Sequence, residues 1–323
     1  MSEHSTFQQS FPPGYLEEYN GHTVIAYSIV FLILQCLFLG LRFWSRHLAK
    51  VPWGWDDGFM VASAAVLTAI IATSLGITRL RSDVKDGGVG YHAARVALDD
   101  SHKLIIWAKF MYAYPFLGFM SASFPKIAIL FTYLRIFDSV SKIERMICKL
   151  WMAVIILNCV VNELVGFFAC RPMAYAWNKN LPGGRCINIT AWLLGGVMAN
   201  IVTDVVLLVV PIPTIVKMKA PMKVKIGLAV TFITGSIGLV TAIIWFVFFC
   251  TIDFATDPTW TASKLISITI ANTGLYFIAG CLLAMRPLLR WTLERVPVAT
   301  TRRGTKSHAK SNSHHNTTQK SSF

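Results

Sequence analysis

The sequence predicts an all-α polytopic membrane protein, a bundle of seven transmembrane helices with the N-terminus outside and the C-terminus cytoplasmic. Three observations lead there. Of the 323 residues, 54% are hydrophobic and only 14% are charged, whereas a soluble domain carries about a quarter of its residues as charges. The apolar residues gather into seven stretches, each close to the roughly 20 residues needed to cross a hydrocarbon core about 30 Å thick. The basic residues concentrate in every second connecting loop. So much apolar surface argues against a water-soluble enzyme and, more strongly, against a disordered chain, which needs low hydrophobicity.

The first 22 residues contain Glu3, Glu17 and Glu18 but no Lys or Arg. They lack the basic start of a cleaved signal peptide and read as an outer segment, 1–22. The membrane domain is expected over 23–289, with spans Thr23–Leu41, Gly58–Ile77, Tyr112–Phe137, Met146–Phe168, Ala191–Pro211, Ile226–Phe249 and Leu265–Met285. The first span works as a signal anchor whose positive flank, Arg42, Arg46 and Lys50, stays in the cytoplasm. In the second, Ala62, Ala65, Ala69, Ala72 and Gly76 form a stripe of small side chains along which another helix can approach. The third has an apolar lead-in from Leu104. Pro115 and Pro125 are expected to kink or end it, so the run is expected to begin as an interfacial helix, while Pro211 and Pro213 close the fifth span. Beyond the seventh span, 290–323 turns to Ser, Thr, Lys, His and Asn and reads as a basic disordered tail. His308, His314 and His315 in it are a solvated polar tract rather than a metal cluster.

The formal net charge is +14, from 30 Lys and Arg against 16 Asp and Glu. A basic chain can signal nucleic-acid binding, but the positions say otherwise. Segments 42–57, 135–149, 214–225 and the tail from Arg286 hold 19 of the bases, while the N-terminal segment, 78–103, 169–189 and 250–264 together hold nine. The positive-inside rule makes the first set cytoplasmic. The charge then records orientation in the plasma membrane or another secretory-pathway membrane, with the lipid bilayer as partner and no nucleic acid. The basic inner loops suit a cytoplasmic signalling partner, and anionic lipid accounts for them equally well.

Ionisable side chains at membrane depth call for a functional hypothesis. Lys126, Glu163 and Asp204 are three. Lys126 lies nine residues before Arg135, about 14 Å from the inner end of its span at 1.5 Å per residue. Asp204 lies seven residues before Pro211, at nearly the same depth. The two are expected to pair, as a structural brace or as a ligand or proton site. Asn200 shares the helix face of Asp204, and Asn158 shares one with Asn162, with Glu163 beside them. These groups either line a polar cavity or make interhelical hydrogen bonds. Cys170 and Cys186 bracket an outer loop in an oxidising compartment, where a disulfide would contribute roughly 3 kcal/mol; two free thiols are the alternative. Asn188 heads an outer Asn-Ile-Thr glycosylation sequon.

In order along the chain stand Arg42 with Trp53-Gly54-Trp55-Asp56-Asp57, Gly88-Val89-Gly90-Tyr91-His92, and Pro125-Lys126-Ile127-Ala128 running into Tyr133-Leu134-Arg135. Cys170-Arg171-Pro172 with Trp177 and Cys186, Asn200-Ile201-Val202-Thr203-Asp204 before Pro211-Ile212-Pro213, Lys225-Ile226-Gly227-Leu228 and Arg286-Pro287-Leu288-Leu289 follow. In these motifs the chain resembles the fungal rhodopsin-domain-like integral membrane proteins, the family of the satratoxin-cluster membrane proteins and of the seven-helix core of appressorial pathogenicity receptors. The resemblance implies a seven-helix fold, an outward N-terminus, a fungal source and, for some relatives, a place beside secondary-metabolite (mycotoxin) genes. It implies no known activity. The chain departs from the family's pattern where an Arg often stands near Ile243-Ile244-Trp245-Phe246 and a Glu near Asn272. Rhodopsin here does not mean photochemistry. A retinal Schiff base needs a Lys inside the last helix; Leu265–Met285 has none and Lys264 lies at its outer edge, so no cofactor is expected, and no metal.

These readings point to a receptor-like sensor or binder of a small apolar ligand. A membrane enzyme such as a terpenoid cyclase is the alternative, with Glu163 and Asp204 as buried acids. Against it, the two acids sit at different depths, and the chain has no phosphate-binding glycine loop, zinc spacing or nucleophile triad. A small-molecule transporter is the third reading, disfavoured by the odd span count and the lack of an inverted repeat.

Overall fold

The computed structural model describes residues 12, 14–78, 89–99, 101–136, 142–210, 212, 222–251 and 257–285. Among the described residues seven long helices make up the bundle: α1 (Gly21–Leu48), α2 (Trp55–Thr78), α3 (Ser101–Ile136), α4 (Lys142–Phe167), α5 (Ile189–Val209), α6 (Met222–Thr251) and α7 (Pro258–Ala284). A short helix, Ala93–Asp99, leads into α3, and strands β1 (Cys170–Arg171) and β2 (Arg185–Cys186) pair antiparallel between α4 and α5. Six of the helices are long and apolar enough to cross a membrane, and α6 contributes the apolar stretch Gly235–Thr251. The protein is a multi-pass membrane protein of all-α fold. Helices are the form such segments must take, because hydrocarbon offers no partner to a free backbone N–H or C=O. The tail 290–323, most of segment 1–22, Pro211 and Pro213 lie outside the described residues.

The bundle has an N-face, where α1 and α7 begin, and a C-face, where they end. Several helices outrun their apolar stretches. Past Leu41, α1 continues to Leu48, because Arg42, Ser45 and Arg46 are buried there. At the N-face α7 starts at Pro258, a residue whose fixed φ suits the first helical turn. Lys264 is therefore inside the last helix rather than at its edge, and it is exposed, with buried Ser263 and Leu265 on either side.

The third span corrects the expectation of a separate interfacial start. It is one continuous helix of 36 residues with Pro115 and Pro125 inside it. Each proline removes the hydrogen bond to the carbonyl four residues earlier. Membrane helices tolerate this where neighbouring helices support them, and α3 packs against α2, α4, α5 and α7.

Helices α3 and α7 form the centre. Met60, Leu67, Ile70 and Ile71 of α2 meet Ala128 of α3 and Ile266, Ile270 and Phe277 of α7 in the main core. Toward the C-face a second cluster joins Ile127, Leu130, Ile155, Leu207 and Leu283. Helices α1 and α4 instead expose Ile29, Ile33, Leu37, Leu150, Leu157 and Leu164, which costs nothing against lipid tails as apolar as they are.

The small-residue stripe of α2 is not a helix contact. Ala65 and Ala72 are exposed, and a Cβ on Gly76 would meet nothing within 4 Å. The packed face is Met60, Ser63, Leu67, Ile70, Ser74 and Ile77. Both stripes have the helical period and lie about 200° apart around the axis. The one with larger side chains gains more dispersion contact and is buried.

Candidate functional site: a charged core beneath an apolar cavity

Lys126 of α3 has no solvent exposure. Its Nζ lies 2.6 Å from Asp204 Oδ1 and donates to Asn200 Oδ1 at 2.6 Å and Thr203 Oγ1 at 3.1 Å. The three protons of the ammonium are directed to Asn200 Oδ1, Thr203 Oγ1 and the Asn200 carbonyl at 3.2 Å, with Asp204 as the counter-charge. Asn200, Thr203 and Asp204 fall at i, i+3 and i+4, so one face of α5 supplies all three. The other carboxylate oxygen of Asp204 accepts from the Tyr276 hydroxyl of α7 at 2.5 Å. Trp151 of α4 donates its indole N–H to the Thr203 carbonyl at 3.5 Å, so the group ties together α3, α4, α5 and α7.

On the N-face side of this group lies a cavity of about 590 Å³, within the roughly 300–1,000 Å³ of small-molecule sites. Trp107, Met111, Pro115, Gly118 and Ala122 form its α3 wall, Leu193 and Val197 come from α5, Trp245 and Phe249 from α6, and Ile266 and Thr269 from α7. Among the described residues no Asp, Glu, Lys, Arg or His lines it. Trp245 Nε1 donates to Thr269 Oγ1 at 3.0 Å, and Thr241 donates to Asn272 Oδ1 at 2.8 Å. Trp245 and Asn272 are thus both cavity residues. Asn200 belongs to the cavity wall and to the charged group alike.

Lys126, Asp204 and Asn200 are brought together; Glu163, Asn162 and Asn158 stand apart. Asn162 donates to the backbone and side-chain oxygens of Asn158 at 2.8 and 3.0 Å. That bond is internal to α4, neither a cavity lining nor an interhelical link. Glu163 is half-buried, does not line the cavity, and its Oε1 has no partner among the described residues. The two acids of the cyclase reading do not converge.

The motif residues near the C-face form a second charged group. Arg42, fully buried, holds Asp56 Oδ2 at 2.9 Å, donates from Nε to Asp57 Oδ1 at 3.1 Å and from Nη1 to the Gly280 carbonyl at 2.8 Å. Arg46 pairs with Asp57 at 2.7 Å and also contacts Asp56. Arg135 stands 3.9 Å from Asp56 at the rim and reaches the Pro52 carbonyl at 3.4 Å. Trp55, the neighbour of Asp56, is exposed.

At the N-face, Cys170 and Cys186 are joined by a disulfide. The Arg171–Pro172 peptide is cis, and the Arg171 guanidinium lies 6.0 Å from the Phe168 ring. Trp177 meets Tyr112 edge-on at 6.0 Å, with Lys109 Nζ 5.8 Å from its ring. Asn188 caps α5, its Oδ1 accepting from the Ala191 N–H at 3.0 Å, which satisfies one of the free donors of the first turn.

Sequence reasoning missed one cluster here. His92 is stacked between Tyr15 and Trp260 at 3.8 and 4.2 Å, contacts Asp257 through Nδ1, and lies 3.6 Å from Glu18. Asp257 also accepts the Ala93 N–H at 2.9 Å. It joins the N-terminal segment, the start of the short helix and the start of α7. The only sequence signal was the place of His92 in an ordered motif.

Residues 41–291 match the fungal rhodopsin domain family. The chain is 32% identical over 282 residues, 84% of its length and 75% of the relative's, to the polyenoic acids biosynthesis gene cluster protein Ba17b of Metarhizium anisopliae. It is 26% identical over 200 residues to a SAT4 family membrane protein of Emericella nidulans, covering 62% of this chain and 46% of that one. It is 22% identical over 302 residues, 83% of this chain and 89% of the relative, to the phomoidride biosynthesis cluster protein H of a fungal species. No solved structure matches. The chain, with its seven long helices and its match over 41–291, belongs to the fungal rhodopsin domain family of membrane proteins.

Proposed function

We propose that this protein is a receptor-like binder of a small apolar ligand, held in the cavity between α3, α5, α6 and α7. One observation carries this reading: an apolar volume of about 590 Å³ shares a wall residue, Asn200, with a charged group that ties four helices together. A ligand that moves Asn200 changes the surroundings of Lys126, and differential contact of that kind is what biases one conformation over another. The charge distribution makes the N-face the outer side. A signal would then emerge at the basic C-face, where a cytoplasmic partner or anionic lipid would meet it. The cluster names of two relatives support a setting in secondary metabolism. The exposed Asn188 sequon supports a glycan on the outer side. The cyclase reading has less support, because Asp204 is engaged by Lys126 and Tyr276 while Glu163 lies outside the cavity.

Gly118 lines the cavity, and a Cβ there would meet nothing within 4 Å. Gly118→Trp should therefore fill the space without disturbing the bundle. Native mass spectrometry of the protein extracted from fungal membranes is expected to find a retained small molecule in wild type and none in the variant. Equal retention by both would reject the cavity as the site, and turnover of an isoprenoid substrate by the purified protein would favour the cyclase.

A further inference from the structure

We infer that the cavity takes an elongated, uncharged molecule whose hydrogen-bond acceptor, a ketone, ester or lactone oxygen, is held by the side-chain amide of Asn200. This rests on the reading of the cavity as a ligand site and adds the chemistry of the occupant.

The orientation of the amide follows from its neighbour. Lys126 can only donate, and its Nζ sits 2.6 Å from Asn200 Oδ1 and 3.2 Å from the Asn200 carbonyl. The side-chain oxygen is therefore committed to the ammonium, and the NH2 end remains. Among the described residues that NH2 has no acceptor, and Asn200 lines the cavity. A second donor lies toward the other end. Trp107 Nε1 is buried without a partner among the described residues, and Trp107 is also a lining residue.

Most of the other polar lining groups are engaged, while the buried Tyr114 hydroxyl is a further group without a hydrogen-bond partner among the described residues. Trp245 donates to Thr269, the Thr269 and Thr273 hydroxyls donate to backbone carbonyls, and Asn272 Oδ1 accepts from Thr241. What the cavity offers is thus donors in search of an acceptor. A hydrocarbon would cover them without giving them an acceptor, which is the costly side of hydrogen bonding.

Charge and shape narrow the class further. Among the described residues the lining holds no Asp, Glu, Lys, Arg or His, and the nearby cation, Lys126, already has Asp204, Asn200 and Thr203 around it. A carboxylate would enter without a counter-ion, at a heavy desolvation penalty. Along α3 the wall runs from Trp107 to Ala122, about 22 Å at 1.5 Å per residue, so the occupant is long rather than round.

The test uses the full chain in lipid nanodiscs, reading saturable quenching of tryptophan fluorescence. The probes are three molecules with an eighteen-carbon chain: methyl linolenate, linolenic acid kept ionised by alkaline buffer, and 1-octadecene. The ester is expected to bind roughly tenfold or more tightly than the other two. Asn200→Asp keeps an oxygen for Lys126 and loses the NH2, so it should bring the ester down to the level of the hydrocarbon. Trp107→Phe, which does not touch the charged group, should weaken the ester by a smaller factor and serves if Asn200→Asp does not fold. Tightest binding by the acid, or equal saturable binding of ester and hydrocarbon, would overturn the acceptor assignment while leaving the cavity a ligand site. No saturable binding of any probe would overturn both.

Discussion

At the C-face two arginines meet two consecutive aspartates; nearer mid-membrane one lysine meets one aspartate. Both groups are buried and both join several helices, yet their chemistry differs. Arg42 uses the planar fork of its guanidinium to hold Asp56, Asp57 and the Gly280 carbonyl at once, a geometry that an ammonium cannot copy. All its partners are charges or backbone, and α1, α2 and α7 are fixed with respect to one another. Lys126 is a compact point charge whose partners include two neutral side chains, Asn200 and Thr203. One of those also faces a cavity. Nature of partner, rather than burial, separates a latch from a group that borders an open cavity.

The strongest test of this contrast is Arg42→Ala. Removing one member of a buried ionic group leaves uncompensated charge and costs about 3–5 kcal/mol. Little monodisperse protein should survive gel filtration of a fluorescent fusion, and Arg42→Lys should recover only part of it. If Arg42→Lys behaved as wild type, the forked geometry would be irrelevant.

Next in size is the lysine pair. Lys126→Met and Asp204→Leu should each lower the melting temperature in detergent, by the equivalent of about 3 kcal/mol, and the double variant should recover most of the loss. Additive losses would mean that the two side chains are not coupled. The corresponding double change at Arg42 and Asp57 should recover less, because Arg42 also donates to Asp56 and to the Gly280 carbonyl, and those bonds are lost even though Arg46 and Asp56 still pair.

Smaller again is Tyr276→Phe, which removes a single hydrogen bond to Asp204. Interhelical bonds of this kind average about 0.6 kcal/mol, so the melting temperature should fall by only a few degrees. The smallest effect is expected for Arg135→Ala. At 39% side-chain exposure and 3.9 Å from Asp56, its ion pair is worth about 0–1 kcal/mol. A loss as large as that of Arg42→Ala would place Arg135 inside the latch instead of at its rim.

Much of this was legible along the chain. Counting residues at 1.5 Å each puts Lys126 and Asp204 at one depth, and they stand 2.6 Å apart. The same counting could not place Glu163, because depth says nothing about the direction in which a side chain faces. Tyr276 was invisible for a related reason: its hydroxyl is one of many polar tips in α7, and only contact distinguishes it. The extra turns of α1 could have been suspected from Arg42 and Arg46, whose burial needs the aspartates that follow in Trp55-Asp56-Asp57. His92 and Asp257, 165 residues apart, carry no periodicity that links them.

By itself the sequence determined seven helices and a strong asymmetry of basic residues between alternate loops. Both are local properties, set by the length of an apolar run against the thickness of hydrocarbon and by the loop in which each Lys or Arg stands. Tertiary structure alone decided which face of α2 is buried, that Glu163 stays outside the charged group, and that Asn200 borders both Lys126 and an apolar cavity. Those depend on the rotation of each helix about its own axis, and seven rotations are settled together by close packing, not one span at a time by hydropathy.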